Sequence, residues 1–283
     1  MVHASPDRAP HALAGFIERH PRLFVLTGAG CSTDSGIPDY RDGSGEWKRR
    51  TRPIMIQEFL NNERARKRYW ARSLVGFRRM QSAQPNGAHH ALADLERRGF
   101  VAQLVTQNVD GLHQAAGSRR VIDLHGRIDT VRCLGCERRI PRALMQAEME
   151  RRNPTFAAIE AYDAPDGDAD VEGVVFDAFD VPACEACGGL LKPDVVFFGE
   201  NVPRDRVRQA MAAVADSDAM LVVGSSLMVY SGYRFVKAMV EAGKPIAAIN
   251  LGRTRADELL SLKIEARCAT ALSMLLAHTA AGA

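Results

Sequence analysis

No apolar run in the 283-residue chain approaches the roughly 20 residues that a membrane-spanning helix needs, and the first ten residues hold no apolar stretch of the signal-peptide kind. Membrane association and secretion are therefore not expected, and the cytoplasm is the expected location. Neither an internal repeat nor a low-complexity tract is present, so one large domain, or a large and a small one, accounts for the length. The net charge of +3 is too small to argue for direct nucleic acid binding. With 46% hydrophobic and 25% charged residues, the composition is that of an ordinary soluble globular protein.

Residues 153–191 lack Lys and Arg altogether while holding nine Asp/Glu; residues 48–79 hold eleven Lys/Arg against only Glu58 and Glu63. Opposite blocks attract, but exposed pairs gain little, so solvated faces are the expectation and contact between the segments the alternative. Six cysteines without a secretion signal argue against a disulfide framework. Four of them fall as Cys133-x2-Cys136 and Cys184-x2-Cys187. Each pair puts two thiolates on one knuckle, and two knuckles complete a tetrahedral Zn2+ site. The 47 residues between Cys136 and Cys184 exceed the usual ribbon spacing, and four reduced core cysteines are the alternative. With every position supplied by protein, the zinc is expected to be structural. Cys31 and Cys268 remain single.

Leu23-Phe24-Val25-Leu26-Thr27 reads as a buried strand, and Gly28-Ala29-Gly30-Cys31-Ser32-Thr33-Asp34-Ser35-Gly36-Ile37-Pro38-Asp39-Tyr40-Arg41 follows it. Two glycines in that turn let the backbone approach a ligand closely, and the amides beyond would meet a phosphate at a helix N-terminus. The dinucleotide fingerprint is incomplete: Thr33 stands where its third glycine would be, and no acidic residue closes an obvious second strand about 20 residues on. An ordinary dehydrogenase is a poor fit.

Along the rest of the chain, periodicity and turn signals predict helices over 11–20, 53–60 and 64–80, with no strand in 41–84. After Pro85-Asn86-Gly87, a helix over 89–98 closed by Gly99 leads to a strand over 100–105. A short strand over 121–126 follows, then a cysteine module over 129–192 that looks loop-rich around Asp163, Pro165, Asp166, Gly167 and Asp168. Strands over 193–200, 220–226 and 246–250 alternate with helices over 203–215 and 232–242, and the tail after His278 is expected to fray. Five of the strands end in polar residues, and in open parallel sheets ligands sit where strand C-termini meet. His125, beside Gly126 at one such end, is the candidate general base. An imidazole with a pKa near 6.5 takes a hydroxyl proton at neutral pH, which a carboxylate does poorly. A lone histidine is more often structural, but the cradle and Gln107-Asn108-Val109-Asp110 favour catalysis here. His113 is expected to pack or hydrogen-bond behind the site.

Six motifs in order resemble the sirtuin family over roughly residues 13–276: the cradle, residues 106–113, Leu124-His125-Gly126, the cysteine pairs, residues 193–200 with Gly224-Ser225-Ser226-Leu227, and Ile249-Asn250-Leu251-Gly252. Cys31 replaces the aliphatic residue common there, and Tyr40 the Phe of many members. The resemblance implies an NAD-dependent protein-lysine deacylase that consumes NAD as a co-substrate. It implies that Gly28, Ala29, Gly30, Ser32, Pro38, Asp39, Tyr40 and Arg41 bind NAD, with the cradle and Arg41 on the diphosphate. Asn108 and Asp110, with Ile37, would secure the nicotinamide end in a strained pose, and Gln107 would orient the ribose. Ser226, Asn250 and Cys268 match positions on the adenosine half, and Val109, Gly224, Ser225, Leu251 and Gly252 complete the set. As nicotinamide leaves, the acyl oxygen attacks the ribose carbon; His125 then draws a proton from the ribose hydroxyls, and the acyl group moves onto ADP-ribose.

An acyl-lysine peptide would add as a strand between Phe198-Gly199-Glu200 and Leu227-Met228-Val229, with Val196 and Phe197 alongside and little reading of its sequence. The alternative for the two phenylalanines is plain core. Tyr69-Trp70-Ala71-Arg72, the acidic loop and Val229-Tyr230-Ser231-Gly232-Tyr233-Arg234-Phe235 most resemble class II sirtuins. Tyr69 and Arg72 also match the Tyr-x-x-Arg pair by which another sirtuin class holds acidic acyl groups; at i and i+3 they share a helix face. The blander reading makes Arg72 one more charge whose stem covers apolar surface. Protein ADP-ribosyl transfer and a non-catalytic NAD-sensing binder are the other classes; the presence of His125 and Asn108 disfavours the second. The expected fold is α/β: a doubly wound, Rossmann-like parallel-sheet domain of residues 13–41, 85–128 and 193–283. A smaller domain combines a helical insertion, 42–84, with the zinc module, 129–192, and the site lies in the cleft between the two domains.

Overall fold

The computed structural model describes the chain except residues 1, 5–8, 45, 48–52, 160–161, 164–168, 171–174 and 282–283. Its strands are β1 Val2–Ala4, β2 Leu23–Thr27, β3 Val101–Thr106, β4 Val121–Asp123, β5 Gly126–Cys133, β6 Arg139–Pro141, β7 Tyr162–Asp163, β8 Ala169–Asp170, β9 Leu191–Val195, β10 Ala219–Val223, β11 Ile246–Ile249 and β12 Leu262–Ile264. Its helices are α1 Ala9–Arg19, α2 Ile56–Asn61, α3 Glu63–Ser82, α4 Gly87–Arg97, α5 Leu112–Ala115, α6 Arg142–Arg152, α7 Pro154–Ala157, α8 Arg204–Asp216, α9 Tyr230–Glu241 and α10 Cys268–Ala281.

β2, β10 and β11 are apolar throughout, or nearly so, because both faces of their sheet are covered. Alternate residues go to opposite sides. Leu23 and Val25 join a core built with α1, α4 and α10, while Phe24 and Leu26 join another built with α8 and α9. The seven strands run parallel in the order β1-β12-β11-β10-β2-β3-β4, which is the doubly wound arrangement. A third core lies apart from these two and gathers Phe59, Trp70, Leu74 and Phe77 of α2 and α3 with Val131, Met149, Phe179 and Leu191.

The strand expected over 193–200 is shorter and belongs elsewhere. It is β9, it ends at Val195, and it pairs antiparallel with β5 in a separate three-stranded sheet, β6-β5-β9. Past Val196, whose N–H still reaches His125 O, the ladder stops: Phe197 N–H donates to the Glu200 carboxylate at 2.9 Å, and the chain turns at Gly199, φ +79°. The strand expected over 121–126 likewise divides, with β4 ending at Asp123 and β5 beginning at Gly126, φ +87°. β1 and β12 had no expectation, and the tail expected to fray past His278 is helical to Ala281.

In the stretch expected to be loop-rich, β7 and β8 pair antiparallel; Pro165, Asp166, Gly167 and Asp168 lie outside the described residues. Lys48, Arg49, Arg50 and Arg52 of the basic block also lie outside them. The rest of that block touches the acidic one, as the alternative expected, on side chains that stay solvated. Arg64 pairs with Asp177 at 2.8 Å, and Lys67 Nζ donates to Asp177 O at 2.9 Å. Both partners of the ion pair are more than half exposed, at 75% and 58%, so the contact marks proximity more than stability.

Candidate active site

In the parallel sheet the chain runs outward from β2 through β3 to β4, and outward from β10 through β11 to β12, so the topological divide lies between β2 and β10. There the loops after the two strands interlock. Gly28 N–H donates to Val223 O at 3.0 Å, and Gly30 N–H to Gly224 O at 2.9 Å. A Cβ on Gly28 would sit 2.8 Å from Gly224 O, and one on Gly30 3.0 Å from Gly224 Cα. Gly224, at φ +64°, returns the constraint: its Cβ would meet Cys31 N at 2.2 Å. Only glycine permits this approach. The expected helix start is absent. Residues Ala29–Cys31 and Thr33–Ser35 form two 3-10 turns, and Gly36, at φ +83°, followed by Pro38 prevents their continuation into an α-helix.

The loop after β3 ties the cradle down from behind. Asn108 Nδ2 donates to Gly28 O at 3.1 Å and to Ser32 Oγ at 3.0 Å, and Ser32 Oγ donates to Asp110 at 2.7 Å. His113 bonds through Nε2 to Thr27 Oγ1 at 2.9 Å, in the supporting place expected of it. Cys31, His89 and His113 are all buried with ligand atoms within 4.8 Å of one another. Asn86 N–H donates to His89 Nδ1, however, so that ring carries its proton on Nε2 and offers no lone pair there. The trio reads as hydrogen-bonded support.

His125 is oriented at both nitrogens. Nδ1 lies 2.9 Å from Gln107 O, which can only accept, so Nδ1 carries the proton and Nε2 presents its lone pair. Nε2 lies 2.8 Å from Ser231 Oγ. Gly126 beside it is obligatory, since a Cβ would fall 2.0 Å from Asp194 O, and Val196 N–H donates to His125 O at 2.7 Å. Burial pushes the imidazole pKa down to about 4, and Arg206 and Arg234 push the same way against the Gln107 carbonyl. This departs from the ordinary value near 6.5 expected from sequence. The ring is neutral at pH 7. Gln107 Oε1 in turn accepts from Ser225 Oγ at 2.6 Å, and Gly232 packs so closely that a Cβ would lie 2.8 Å from Gln107 Nε2.

A cleft of about 440 Å³ opens over these groups. Of the residues selected from sequence, its walls bring together Gly28, Ala29, Gly30, Asp39, Tyr40 and Arg41 with Gln107, Asn108, Val109 and His125. Gly224, Ser225, Ser226, Asn250 and Leu251 close one side. Tyr69, Arg72, Val196, Phe197, Phe198, Gly199, Glu200, Leu227, Met228 and Val229 line the other. Ser32, Ile37, Pro38, Asp110, Gly252 and Cys268 are not in its lining; Cys268, for one, donates its thiol to Ile249 O at 3.8 Å. The two segments expected to flank a peptide, 198–200 and 227–229, are loops.

Sequence reading missed Trp47, Ser231 and Arg234, which also line the cleft. Trp47 receives the Arg41 guanidinium 4.5 Å from its ring centroid and packs edge-on to Tyr40 and Phe198. No periodic pattern marks it. Ser231 escaped because α9 begins two residues before the expected start at 232.

The Sir2 family model matches residues 28–231. The chain belongs to the Sir2 family. It is 66% identical over 264 residues to an NAD-dependent protein deacetylase of Xanthomonas campestris pv. campestris, covering 93% of this chain and 90% of that protein. It is 46% identical to the NAD-dependent protein deacylase SRT2 of Arabidopsis thaliana, covering 96% of this chain and 78% of that protein. Among solved structures, a complex described as Sir2–p53 peptide–NAD+ superposes with a TM-score of 0.77 at 29% identity, covering 95% of this chain and 98% of that one.

This Sir2 protein carries its four paired cysteines at the end of β5 and in the turn before β9. Cys133 Sγ lies 3.5 Å from Cys187 Sγ, and Cys136 Sγ 3.7 Å from Cys184 Sγ. Tetrahedral zinc with Zn–S bonds of about 2.3 Å needs edges of about 3.8 Å, so the set fits a structural zinc ion. Gly189 is part of the fit, since a Cβ there would press within 2.9 Å of Cys133 Sγ. None of the four lines the cleft.

Two outcomes follow for the Sir2 protein. A chelator should remove one zinc per chain and expose the amides of residues 129–192 to hydrogen exchange while β2 and β10 stay protected; simultaneous loss in both would contradict a separate structural role. Acidification should also destabilise the fold. Burial holds His89 and His125 to about 4 and His113 well below its ordinary value, whereas the unfolded chain binds these protons near pH 6.5. The unfolded state then holds more protons, so stability falls as pH drops from 6.5 towards 4, by up to about 3 kcal/mol each for His89 and His125, with His113 adding in the same direction. Urea unfolding at pH 7 and pH 5 measures this, and equal midpoints would contradict it.

Proposed function

We infer that this chain is an NAD-dependent protein-lysine deacylase that releases nicotinamide and O-acyl-ADP-ribose. The observation that carries the reading is His125: its Nδ1 proton is held by Gln107 O, and its Nε2 lone pair lies in a cleft that the interlocked glycine cradle also lines. That cradle suits a dinucleotide, because a Cβ at Gly28, Gly30 or Gly224 would close the backbone surface a diphosphate needs. Gly28, Ala29, Gly30, Tyr40 and Arg41 would hold the diphosphate, and Ser226, Asn250 and Leu251 the adenosine half. Bound there, NAD supplies the glycosidic bond whose breaking frees nicotinamide and opens the ribose to the acyl oxygen. Asn108, fixed to Gly28 O and Ser32 Oγ, holds the cradle rigid at that end. His125 takes the ribose hydroxyl proton on Nε2, with Ser231 Oγ giving way to the hydroxyl.

The substrates on this reading are acyl-lysine proteins or peptides, laid between the loops 196–200 and 227–229. Residues 13–41, 85–125 and 196–283 would form the nucleotide-binding part and 42–84 with 126–195 the smaller one, since β5 and β9 pair in a sheet of their own, a few residues beyond the bounds expected from sequence. A cytoplasmic location, without nucleic acid or membrane contact, accords with the net charge of +3 and with the finding that no described helix is long and apolar enough to cross a membrane. Activity on larger or acidic acyl groups as well as acetyl belongs to the reading because Tyr69 and Arg72 both line the cleft. Tyr69 there packs its ring 5.0 Å from Phe197 and 5.6 Å from Phe59.

Mass spectrometry of products from acetyl-, propionyl- and glutaryl-lysine peptides with NAD tests both points. Wild type should yield freed lysine and acylated ADP-ribose, and His125→Ala should lower turnover about 100-fold or more. Unchanged turnover in that variant would remove the proposed base, and ADP-ribose on protein would instead indicate ADP-ribosyl transfer. Arg72→Ala should depress glutaryl turnover and spare acetyl. Equal efficiency on both peptides in wild type and variant would reject the acidic-acyl pocket.

A further inference from the structure

β9 stops at Val195, yet residues 195–200 all line the cleft, and beyond the strand their backbone pairs outward at isolated points, Val196 N–H to His125 O and Ile56 N–H to Phe198 O. From inside, the loop is gathered by one ammonium group. Lys192, 3% exposed, places Nζ 3.0 Å from Glu200 Oε2, donates to Val195 O and, at 3.4 Å, to Pro193 O, and lies 4.5 Å from the centroid of the Phe197 ring. Glu200 closes the loop by accepting Phe197 N–H at 2.9 Å. Carbonyls, ring and carboxylate at both ends of residues 193–200 thus converge on a single buried cation. A buried ion pair is a costly way to gain stability, since both charges lose water and the attraction only offsets that loss. Its geometry is specific, because Nζ has three donors and each carbonyl or carboxylate oxygen they reach fixes one point of the loop. The contacts all lie on the proposed peptide side and none on the glycine cradle.

We propose that Lys192 is a positioning residue for the acyl-lysine substrate: with Glu200 it fixes the loop of Val196, Phe197 and Phe198 in the shape that receives the peptide. The inference rests on the deacylase reading, so wild-type turnover of an acetyl-lysine peptide with NAD is the first measurement; its absence sinks that reading and leaves the loop's role to peptide binding alone. With turnover present, Lys192→Met should raise KM for the peptide about tenfold, leave KM for NAD unchanged and keep kcat within about threefold. Fluorescence anisotropy of a labelled acetyl-lysine peptide should show the same tenfold loss of affinity, about 1.4 kcal/mol.

Lys192→Met strands the Glu200 carboxylate and lowers stability as well. The double variant Lys192→Met/Glu200→Gln removes that uncompensated charge. It should regain thermal stability while keeping the raised peptide KM. Recovery of KM together with stability would show that Lys192 only stabilises the fold, and equal shifts in the two KM values would place its effect on the whole cleft. Either result overturns the proposal.

Discussion

The close approach of two loops at the divide between β2 and β10 is the contact on which the remaining site geometry depends. A parallel sheet wound outward in both directions leaves a crevice at that point, and Gly28, Gly30 and Gly224 let the backbones meet across it through two hydrogen bonds. A Cβ at any of the three would come within 3.0 Å of the opposing chain. Asn108 reaches into the junction from β3, and Ser225, the next residue after Gly224, reaches Gln107. The cradle therefore fixes the loop that fixes His125.

From that junction His125, the proposed base, is set by position. The Gln107 carbonyl decides the tautomer, and burial with Arg206 and Arg234 near by keeps the ring uncharged. A neutral imidazole with a depressed pKa is a weaker base than a free one, so its value lies in having the lone pair ready and aimed. Val196 N–H bonds to His125 O, which joins His125 to the loop after β9, and Lys192 gathers that loop through Glu200 and the Phe197 ring. Tyr40, Trp47 and Phe198 then pack edge to edge over the cleft. The glycine cradle, His125 and the loop after β9 form one connected network.

The parts legible in sequence were those whose local pattern is also their tertiary cause. β2, β10 and β11 read as strands because burial on both faces demands an unbroken apolar run, and the cysteine pairs read as a metal knuckle because the ligand geometry demands that spacing. That His125 lines the cleft was legible from its place beside a short strand, though its depressed pKa was not, since burial is set by distant residues. Residues 196–200 mimicked a continuing strand; Phe197 N–H instead turns to Glu200, while Val196 N–H and Phe198 O pair with His125 and Ile56, choices no local propensity records. β1 and β12, three residues each, are too short to show a period. Trp47 and Ser231 became part of the site only through packing: one under the Arg41 guanidinium, the other through the helix start that brings it to Nε2.

The most direct measurement of this account is a crystal structure of the chain with NAD and an acetyl-lysine peptide bound. The account predicts a ribose hydroxyl in place of Ser231 Oγ at Nε2 of His125, with the diphosphate against Gly28, Ala29 and Gly30. A ribose out of hydrogen-bond reach of His125, or a nucleotide seated away from the glycine junction, would contradict it.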